Sequence, residues 1–124
     1  MKRFENKVAI VTGAGSGLGE ATALEFAKEG ASVVLADISD KTAEVSQKMN
    51  EQGYATIFVK TNVAEEADIM NLVEQTVAKF GRLDVMFANA GINIESTLEN
   101  LEMDAWQKVI DVNLKSVYLS DRYA

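Results

Sequence analysis

Four glycines alternate with other residues in the stretch 12–19 of the sequence. An apolar run precedes this stretch and an amphipathic run follows it, which predicts a buried strand, a tight turn and the start of a helix. Such a turn can hold a pyrophosphate against the free N–H groups of the helix. Gly13 would permit the turn, Gly17 would let the backbone approach the anion, and Gly19 would allow close helix–strand packing. A tight strand–helix turn without a ligand is the alternative.

An acidic residue, Asp37, follows Gly19 by eighteen residues and lies at the predicted carboxyl end of the next strand. A carboxylate there can accept hydrogen bonds from the adenosine ribose of a dinucleotide and would repel a 2′-phosphate. The two positions that could carry a compensating base, Ser16 and Ile38, are neutral. The pattern therefore favours NAD over NADP as the ligand. Taken alone, Asp37 could equally be a helix cap or a solvated loop acid, but the glycine-rich turn favours the dinucleotide interpretation.

The composition excludes several kinds of site. The 124 residues include no cysteine and no histidine, so disulfides and thiolate chemistry are ruled out and a metal site is not expected. The formal net charge of −7 argues against a nucleic-acid partner, because phosphate contacts need clustered Lys and Arg. No run is long and apolar enough to predict a membrane span or a signal peptide. We expect one cytoplasmic domain over residues 1–124, since 48% apolar residues suffice for one core.

Strand and helix patterns alternate along the whole chain. Strands are predicted at 8–12, 32–37, 55–60 and 84–88, and helices at 18–29, 40–52, 65–80 and 104–123. Continuous apolar strands separated by helices indicate an α/β fold with a parallel sheet that is covered on both faces. Right-handed crossovers give the strand order 3-2-1-4. The prediction is a Rossmann-like doubly wound sheet of four strands, truncated relative to a complete fold of this kind.

The last predicted helix has two apolar faces. The first comprises Trp106, Val109, Ile110, Asn113 and Val117, and the second comprises Val112, Leu119 and Tyr123. A helix that is apolar on two sides is buried on two sides. We expect the face with Asn113 to meet the sheet and the other face to need further chain or another subunit. The amide of Asn113 would then bond a backbone group or water, or serve a site.

An apolar fourth strand at the edge of the sheet is a second surface that would invite another chain. We therefore expect the protein to form a homo-oligomer, either through the last helix or through the edge of the fourth strand.

The chain resembles the classical short-chain dehydrogenase/reductase family. The resemblance rests on Thr12-Gly13-x-x-x-Gly17-x-Gly19, on Asn89-Ala90-Gly91 and on Asn113 within Val112-Asn113-Leu114. It implies an NAD(P)-dependent oxidoreductase of small alcohols or carbonyls that assembles as a dimer or tetramer. A methyltransferase with a similar glycine turn would not account for the second and third motifs.

The resemblance also implies a role for each matching residue. It implies that the pyrophosphate is bound by Gly13, Ser16, Gly17, Leu18 and Gly19, the adenosine ribose by Asp37, the adenine by Asn62 and Val63, and the nicotinamide ribose by Asn89, Ala90 and Gly91. Asn113 would be the one member of the catalytic tetrad in this chain. The family often has Asp where this chain has Asn62, but an amide oxygen can still accept from the adenine amino group.

The family's chemistry needs a Tyr-x-x-x-Lys pair and an upstream Ser, which follow a fifth strand. The near match, Tyr118-x-x-x-Arg122, comes too early in the fold, and Arg lacks the compact ammonium of Lys. Tyr118 and Tyr123 are therefore interpreted as packing residues. We expect the chain to carry only the cofactor-binding half of such an enzyme. A catalytically inactive fragment that binds a nucleotide or self-associates is the alternative.

Overall fold

The computed structural model describes residues 2–124 and has four strands and a series of helices. The strands are β1 (Val8–Thr12), β2 (Ser32–Asp37), β3 (Thr56–Lys60) and β4 (Val85–Phe87). The helices are α1 (Gly17–Lys28), α2 (Thr42–Glu51), α3 (Glu66–Phe80), α4 (Met103–Ile110) and α5 (Ser116–Tyr123), with a π-helical segment, Asp111–Lys115, between the last two. The sheet order is β3-β2-β1-β4 and all pairs are parallel, which confirms the predicted topology.

The sheet is covered on both faces because apolar residues occupy the middle of its strands. All five residues of β1 are buried, and Ile10 lies opposite Val34 of β2 and Met86 of β4. Alternate residues of a strand face opposite sides, so each face has its own core cluster. The cluster under α3 and α5 includes Ile10, Val34, Ile69, Leu72 and Leu119. The cluster under α1 and α2 includes Val11, Val33, Leu35, Ala23 and Met49.

Helix α3 packs on the sheet through apolar residues that include Ile69 and Leu72. Ile69 and Leu72 are fully buried, but Val77 is 45% exposed and Thr76 is buried in its place. Thr76 lies four residues after Leu72, directly below it on the helix, and donates its hydroxyl to the Leu72 carbonyl at 2.8 Å. Because its hydroxyl is bonded to the helix backbone, the polar residue Thr76 can occupy the position that faces the core.

The last helix differs from the prediction in shape and in orientation. Residues 103–123 are continuously helical, but the π-helical segment interrupts the 3.6-residue period. Leu119 is buried and Val112 and Tyr123 pack against the core, whereas Asn113 and Trp106 are exposed. The expectation that the Asn113 face meets the sheet is therefore wrong. The second apolar face of the prediction, Val112, Leu119 and Tyr123, is the one that packs on the core.

Strand β4 is shorter than predicted and forms one edge of the sheet. It pairs with β1 alone, and Phe87 is partly exposed. The bounds of β1 and β2 are as predicted, and those of the remaining elements differ by at most two residues at either end. Within residues 2–124, none of the helices has both the length and the apolar character that a membrane span requires.

Candidate cofactor-binding site

A cleft of about 710 Å³ opens at the carboxyl ends of the strands, next to the glycine-rich turn. Eight of the predicted site residues line it, namely Gly13, Ser16, Asp37, Asn62, Val63, Asn89, Ala90 and Gly91. Four predicted residues are not part of its lining, namely Gly17, Leu18, Gly19 and Asn113. The cleft is large enough for an extended ligand, and the carboxyl edge of a parallel sheet is where such folds bind ligands.

The backbone of the turn requires glycine at two positions. Gly13 and Gly17 have φ angles of +67° and +57°, which L-residues with side chains rarely adopt. A Cβ at Gly17 would meet nothing within 4 Å, so the backbone there is open to a ligand. At Gly19 a Cβ would overlap the carbonyl of Gly13, with 2.7 Å to its carbon. The third glycine thus permits close packing of α1 on the turn, as predicted.

Helix α1 begins without a side-chain cap. Ser16 occupies the N-cap position in an extended conformation, and its hydroxyl makes no capping hydrogen bond. The first N–H groups of the helix have no intrahelical acceptors. Together with the positive end of the helix dipole, these groups suit a phosphate anion. The residues present therefore fit the pyrophosphate of a dinucleotide.

Asp37 does not cap a helix, because α2 begins at Thr42 after the N-cap Lys41. Its carboxylate accepts two backbone hydrogen bonds, each of 2.9 Å, from the N–H of Gly15 to Oδ2 and from the N–H of Ser39 to Oδ1. The acid is thereby held at the mouth of the cleft with a defined orientation. Each carboxylate oxygen keeps acceptor capacity for a ligand hydroxyl.

Two residues of this arrangement were not predicted from the sequence. A Cβ at Gly15 would lie 2.5 Å from Oγ1 of Thr42 and 2.8 Å from Oδ2 of Asp37. Thr42 is fully buried and its hydroxyl has no hydrogen-bond partner within residues 2–124. Gly15 could have been found as the remaining glycine of the alternating series, but nothing in the sequence marks Thr42.

The Asn89-Ala90-Gly91 segment is tied directly to the glycine-rich turn. The Thr12 hydroxyl accepts the N–H groups of Asn89 at 2.9 Å and of Ala90 at 3.0 Å. The Asn89 amide in turn donates to the Thr12 carbonyl at 3.2 Å. A Cβ at Gly13 would lie 2.9 Å from Cα of Ala90, so the two segments are in close contact. The cleft wall after β4 is therefore positioned by the end of β1.

Asn113 holds the loop that follows this segment. Its amide accepts the N–H of Ile92 and donates to the carbonyl of Ile92, both at 2.8 Å. Of the two predicted explanations for this asparagine, the structure shows the backbone partner. The π-helical segment that contains Asn113 widens the helix where these bonds form.

The two tyrosines of the last helix lie outside the cleft lining. Tyr118 is 58% exposed and accepts a hydrogen bond from Nη1 of Arg122 at 2.8 Å, so its interpretation as a packing residue is wrong. Tyr123 packs against the core as expected, and its hydroxyl donates to the Glu66 carboxylate. That hydrogen bond raises the pKa of Tyr123 above its usual value. Neither tyrosine is placed to exchange a proton with a ligand in the cleft.

Four polar residues of the last helix line the cleft but were not predicted, namely Asp104, Gln107, Lys108 and Asp111. Their side chains form a polar wall opposite the end of the sheet. A helix assigned from periodicity alone gives no indication of which polar residues face a cleft.

Comparison with known proteins agrees with this geometry. The model of the short chain dehydrogenase family matches residues 7–123. The chain is 44% identical to a cyclohexanol dehydrogenase of an Acinetobacter species over 98% of its own length and 49% of that protein. It is 38% identical to a cis-4-hydroxycyclohexanecarboxylate dehydrogenase of Sinomonas cyclohexanicum, again over 98% and 49%. The chain thus spans about half the length of these curated relatives.

Solved structures show the same fold. A short chain dehydrogenase from Mycobacterium smegmatis superposes with a TM-score of 0.95 at 32% identity, over 99% of this chain and 52% of that one. A short chain dehydrogenase/reductase from Burkholderia phymatum in complex with NAD superposes with a TM-score of 0.95 at 33% identity. The match covers 99% of this chain and 44% of that one. From the cleft, the motifs and these matches, the chain belongs to the short-chain dehydrogenase family.

Proposed function

We propose that this chain is the cofactor-binding half of an NAD-dependent oxidoreductase that transfers a hydride between the nicotinamide and a small alcohol or carbonyl compound. The observation that carries the proposal is the Asp37 carboxylate, fixed by two backbone N–H groups beside an uncapped helix start. The turn and the helix start offer donors for the pyrophosphate, and the acid offers acceptors for a ribose.

NAD is the preferred cofactor in this proposal. A 2′-phosphate at the adenosine ribose would be placed against the Asp37 carboxylate, where like charges repel. The neighbouring residues Ser16 and Ile38 line the cleft and supply no positive charge. A relative of known structure was solved with NAD, which supports the same choice.

The proposal assigns to each site residue the role that the family resemblance implies. The pyrophosphate is held by Gly13, Ser16, Gly17, Leu18 and Gly19, the adenosine ribose by Asp37, the adenine by Asn62 and Val63, and the nicotinamide ribose by Asn89, Ala90 and Gly91. Asn113 acts as a positioning residue, since its amide holds the backbone of Ile92 rather than facing the cleft. When bound, NAD supplies the hydride acceptor, and these residues bind and orient it.

The catalytic acid and the substrate pocket belong to the part of the protein that this chain does not contain. The only Tyr-x-x-x-basic pair, Tyr118 with Arg122, is exposed and is not part of the cleft lining. The chain alone therefore binds cofactor without turnover, as a single incomplete domain over residues 1–124. Its cysteine-free composition suits a reducing compartment such as the cytoplasm.

A second copy of the chain is the proposed protein partner. The last helix exposes large apolar side chains, namely Met103, Trp106, Leu114, Val117 and Tyr118. The free edge of β4 is the alternative contact, since this strand pairs with β1 alone. Exposed apolar side chains and unpaired edges are surfaces that proteins cover by association.

Calorimetric titration of the chain with NAD and with NADP tests the proposal. We expect binding of NAD, weaker binding of NADP, and no hydride transfer to or from simple alcohols and ketones. Failure of both dinucleotides to bind would reject the proposed cofactor role. Measurable turnover by the isolated chain would mean that it contains a catalytic acid.

A further inference from the structure

Thr42 is the first residue of α2, and its side-chain hydroxyl has no bonding partner. The side chain is fully buried, and within residues 2–124 its Oγ1 atom makes no hydrogen bond. Its backbone N–H donates to the carbonyl of Ser39 at 3.2 Å, so the residue itself is held in place. Thr42 does not line the cleft. Any effect of its side chain on the cleft therefore arises from the space that this side chain fills.

That space adjoins both the glycine-rich turn and the acid. A Cβ at position 15 would lie 2.5 Å from Oγ1 of Thr42 and 2.8 Å from Oδ2 of Asp37, so the two oxygens flank one point. The N–H of Gly15 donates to the same Oδ2 atom at 2.9 Å. Position 15 is therefore enclosed between the buried threonine and the carboxylate that its N–H binds.

Glycine at position 15 is required by these neighbours and not by the backbone. Gly13 and Gly17 have positive φ angles, but Gly15 does not. An alanine could therefore adopt the backbone conformation at position 15 without strain if the space beside it were free. The requirement for glycine at this position depends on Thr42 and Asp37.

The two neighbours of position 15 differ in how easily they can move. Thr42 is fully buried and begins a helix, so shifting it would disturb close-packed atoms on all sides. Asp37 is only partly buried, and its carboxylate is the end of a side chain that lines the cleft. A side chain at position 15 would therefore displace the carboxylate first and break its bond to the N–H of residue 15.

We propose that Thr42 is a positioning residue of the cofactor site, which fixes the Asp37 carboxylate by filling the space beside position 15. Gly15 and Thr42 form a matched pair, because with threonine at 42 only glycine at 15 leaves the carboxylate bonded to the turn. The inference rests on the proposed function, since Asp37 is the residue that we propose selects NAD. Thr42 acts on this selectivity without touching the cofactor.

Gly15→Ala and the double variant Gly15→Ala/Thr42→Ala test the pair. Calorimetric titration gives the preference for NAD over NADP, and hydrogen exchange gives the protection of the amide of residue 15. For Gly15→Ala we expect the preference to fall by about fivefold or more and this amide to exchange about tenfold faster, since a hydrogen bond to a charged group is lost. In the double variant the new methyl group enters the volume that Thr42 vacates, so both quantities should return to within about threefold of wild type.

Two controls separate this role from a general loss of stability. Thr42→Val keeps a branched side chain and removes a hydroxyl that bonds nothing, so it should keep the wild-type preference and should not rescue Gly15→Ala. Thr76→Ala shortens a fully buried threonine of α3, on the opposite face of the sheet, and should not rescue Gly15→Ala either. Urea unfolding of each variant checks that it folds.

Several outcomes would overturn the inference and leave the proposed function intact. Wild-type preference and wild-type protection in Gly15→Ala would mean that a side chain fits beside Thr42. Equal effects of Gly15→Ala in the Thr42→Ala and Thr42→Val backgrounds would mean that Thr42 does not restrict position 15. If Gly15→Ala alone does not fold, folding in the Thr42→Ala background but not in the Thr42→Val background supports the pair, and failure in both overturns it. Failure of the wild-type chain to bind either dinucleotide rejects the proposed function, and the inference with it.

Discussion

The carboxylate of Asp37 accepts the backbone N–H of Gly15 at 2.9 Å, which joins the end of β2 to the glycine-rich turn that follows β1. The same oxygen would lie 2.8 Å from a Cβ at position 15, so glycine there and the acid at 37 depend on each other. Asp37, which we propose selects the cofactor, therefore also stabilises the glycine-rich turn. Substitutions of Asp37 should affect both affinity and selectivity.

For Asp37→Ala we expect NAD affinity to fall by about tenfold or more, because the variant loses charged acceptors for the ribose and for the Gly15 N–H. NADP affinity should fall less or rise, since the repulsion of the 2′-phosphate is removed. Calorimetric titration with both cofactors measures the ratio. Asp40→Ala is the control, because Asp40 pairs with Lys60 on the surface and does not line the cleft. An unchanged NAD/NADP ratio in Asp37→Ala would count against Asp37 as the selector.

Gly19→Ala should destabilise the fold and abolish NAD binding. Its Cβ would overlap the Gly13 carbonyl and lie 2.8 Å from Nδ2 of Asn89, so the turn and the segment after β4 must both move. Overpacking of this kind lowers the free energy of unfolding by about 1–3 kcal/mol, because the backbone atoms that are contacted cannot rotate away. Urea unfolding measures the loss.

Ala21→Gly, at an exposed position of the same helix, is the control for Gly19→Ala and should cost only about 1 kcal/mol through helix propensity. Equal losses in the two variants, with NAD binding retained in both, would contradict the packing role of Gly19.

The Asn113 variants should loosen the loop after β4 in graded steps. Asn113→Asp keeps an acceptor for the Ile92 N–H and loses the donor to the Ile92 carbonyl, whereas Asn113→Ala loses both. Hydrogen exchange of the Ile92 amide should therefore be faster in Asn113→Ala than in Asn113→Asp. Each lost bond should lower the free energy of local opening by about 0.5–1.5 kcal/mol. Protection of Ile92 that is the same in Asn113→Ala and wild type would disprove the positioning role.

Asp84 should make stability depend on acid pH. The carboxylate of Asp84 accepts two hydrogen bonds from Arg82, at 2.6 and 2.8 Å, and one from the Val8 N–H at 2.9 Å. These bonds lower the pKa of Asp84 in the folded state. A lowered folded-state pKa means that the stabilisation is complete above the unfolded value of about 4 and is lost as the pH falls through the folded value.

Urea unfolding at pH 7 and at pH 3 checks this expectation. Asp84→Asn should be less stable than wild type at pH 7, and the difference should narrow at pH 3. Asp121→Asn, at an exposed position of α5, serves as the control and should show little change at either pH. A difference between wild type and Asp84→Asn that does not vary with pH would refute the ionic contribution.

The proposed association is tested by light scattering at tens of micromolar, the approximate range where exposed apolar surfaces associate. We expect a dimer or larger assembly. Leu114→Glu places a charge on an apolar residue that is 64% exposed, and should shift the chain towards monomer if the last helix is the interface. Asn100→Glu, outside that helix, is the control. A monodisperse wild-type monomer would reject the proposal, and an assembly that Leu114→Glu leaves intact would favour the β4 edge.

Much of the architecture follows from local patterns. The apolar runs around Ile10 and Val34, the helical spacing of Ile69 and Leu72 and the glycines after helices each depend on neighbours a few residues away. Gly81 adopts a φ of +80° at the C-terminus of α3, as a helix-terminating glycine should. Right-handed crossovers then leave few ways to order four parallel strands, so the sheet order was accessible from the sequence.

The details of the cleft depend on contacts between residues distant in the chain. Asn113 meets Ile92 across twenty-one residues, and it does so from within a π-helical segment that no regular period predicts. The side-chain oxygen of Asn62 accepts the N–H of Ala64, whose position depends on the turn into α3.

The sequence by itself therefore determined the parallel sheet, the glycine-rich turn and the acid that follows it, because these arise from short-range spacing and side-chain type. Only the tertiary structure decided which groups of those residues remain free to bind a ligand, because hydrogen-bond partners and close approaches are set by packing.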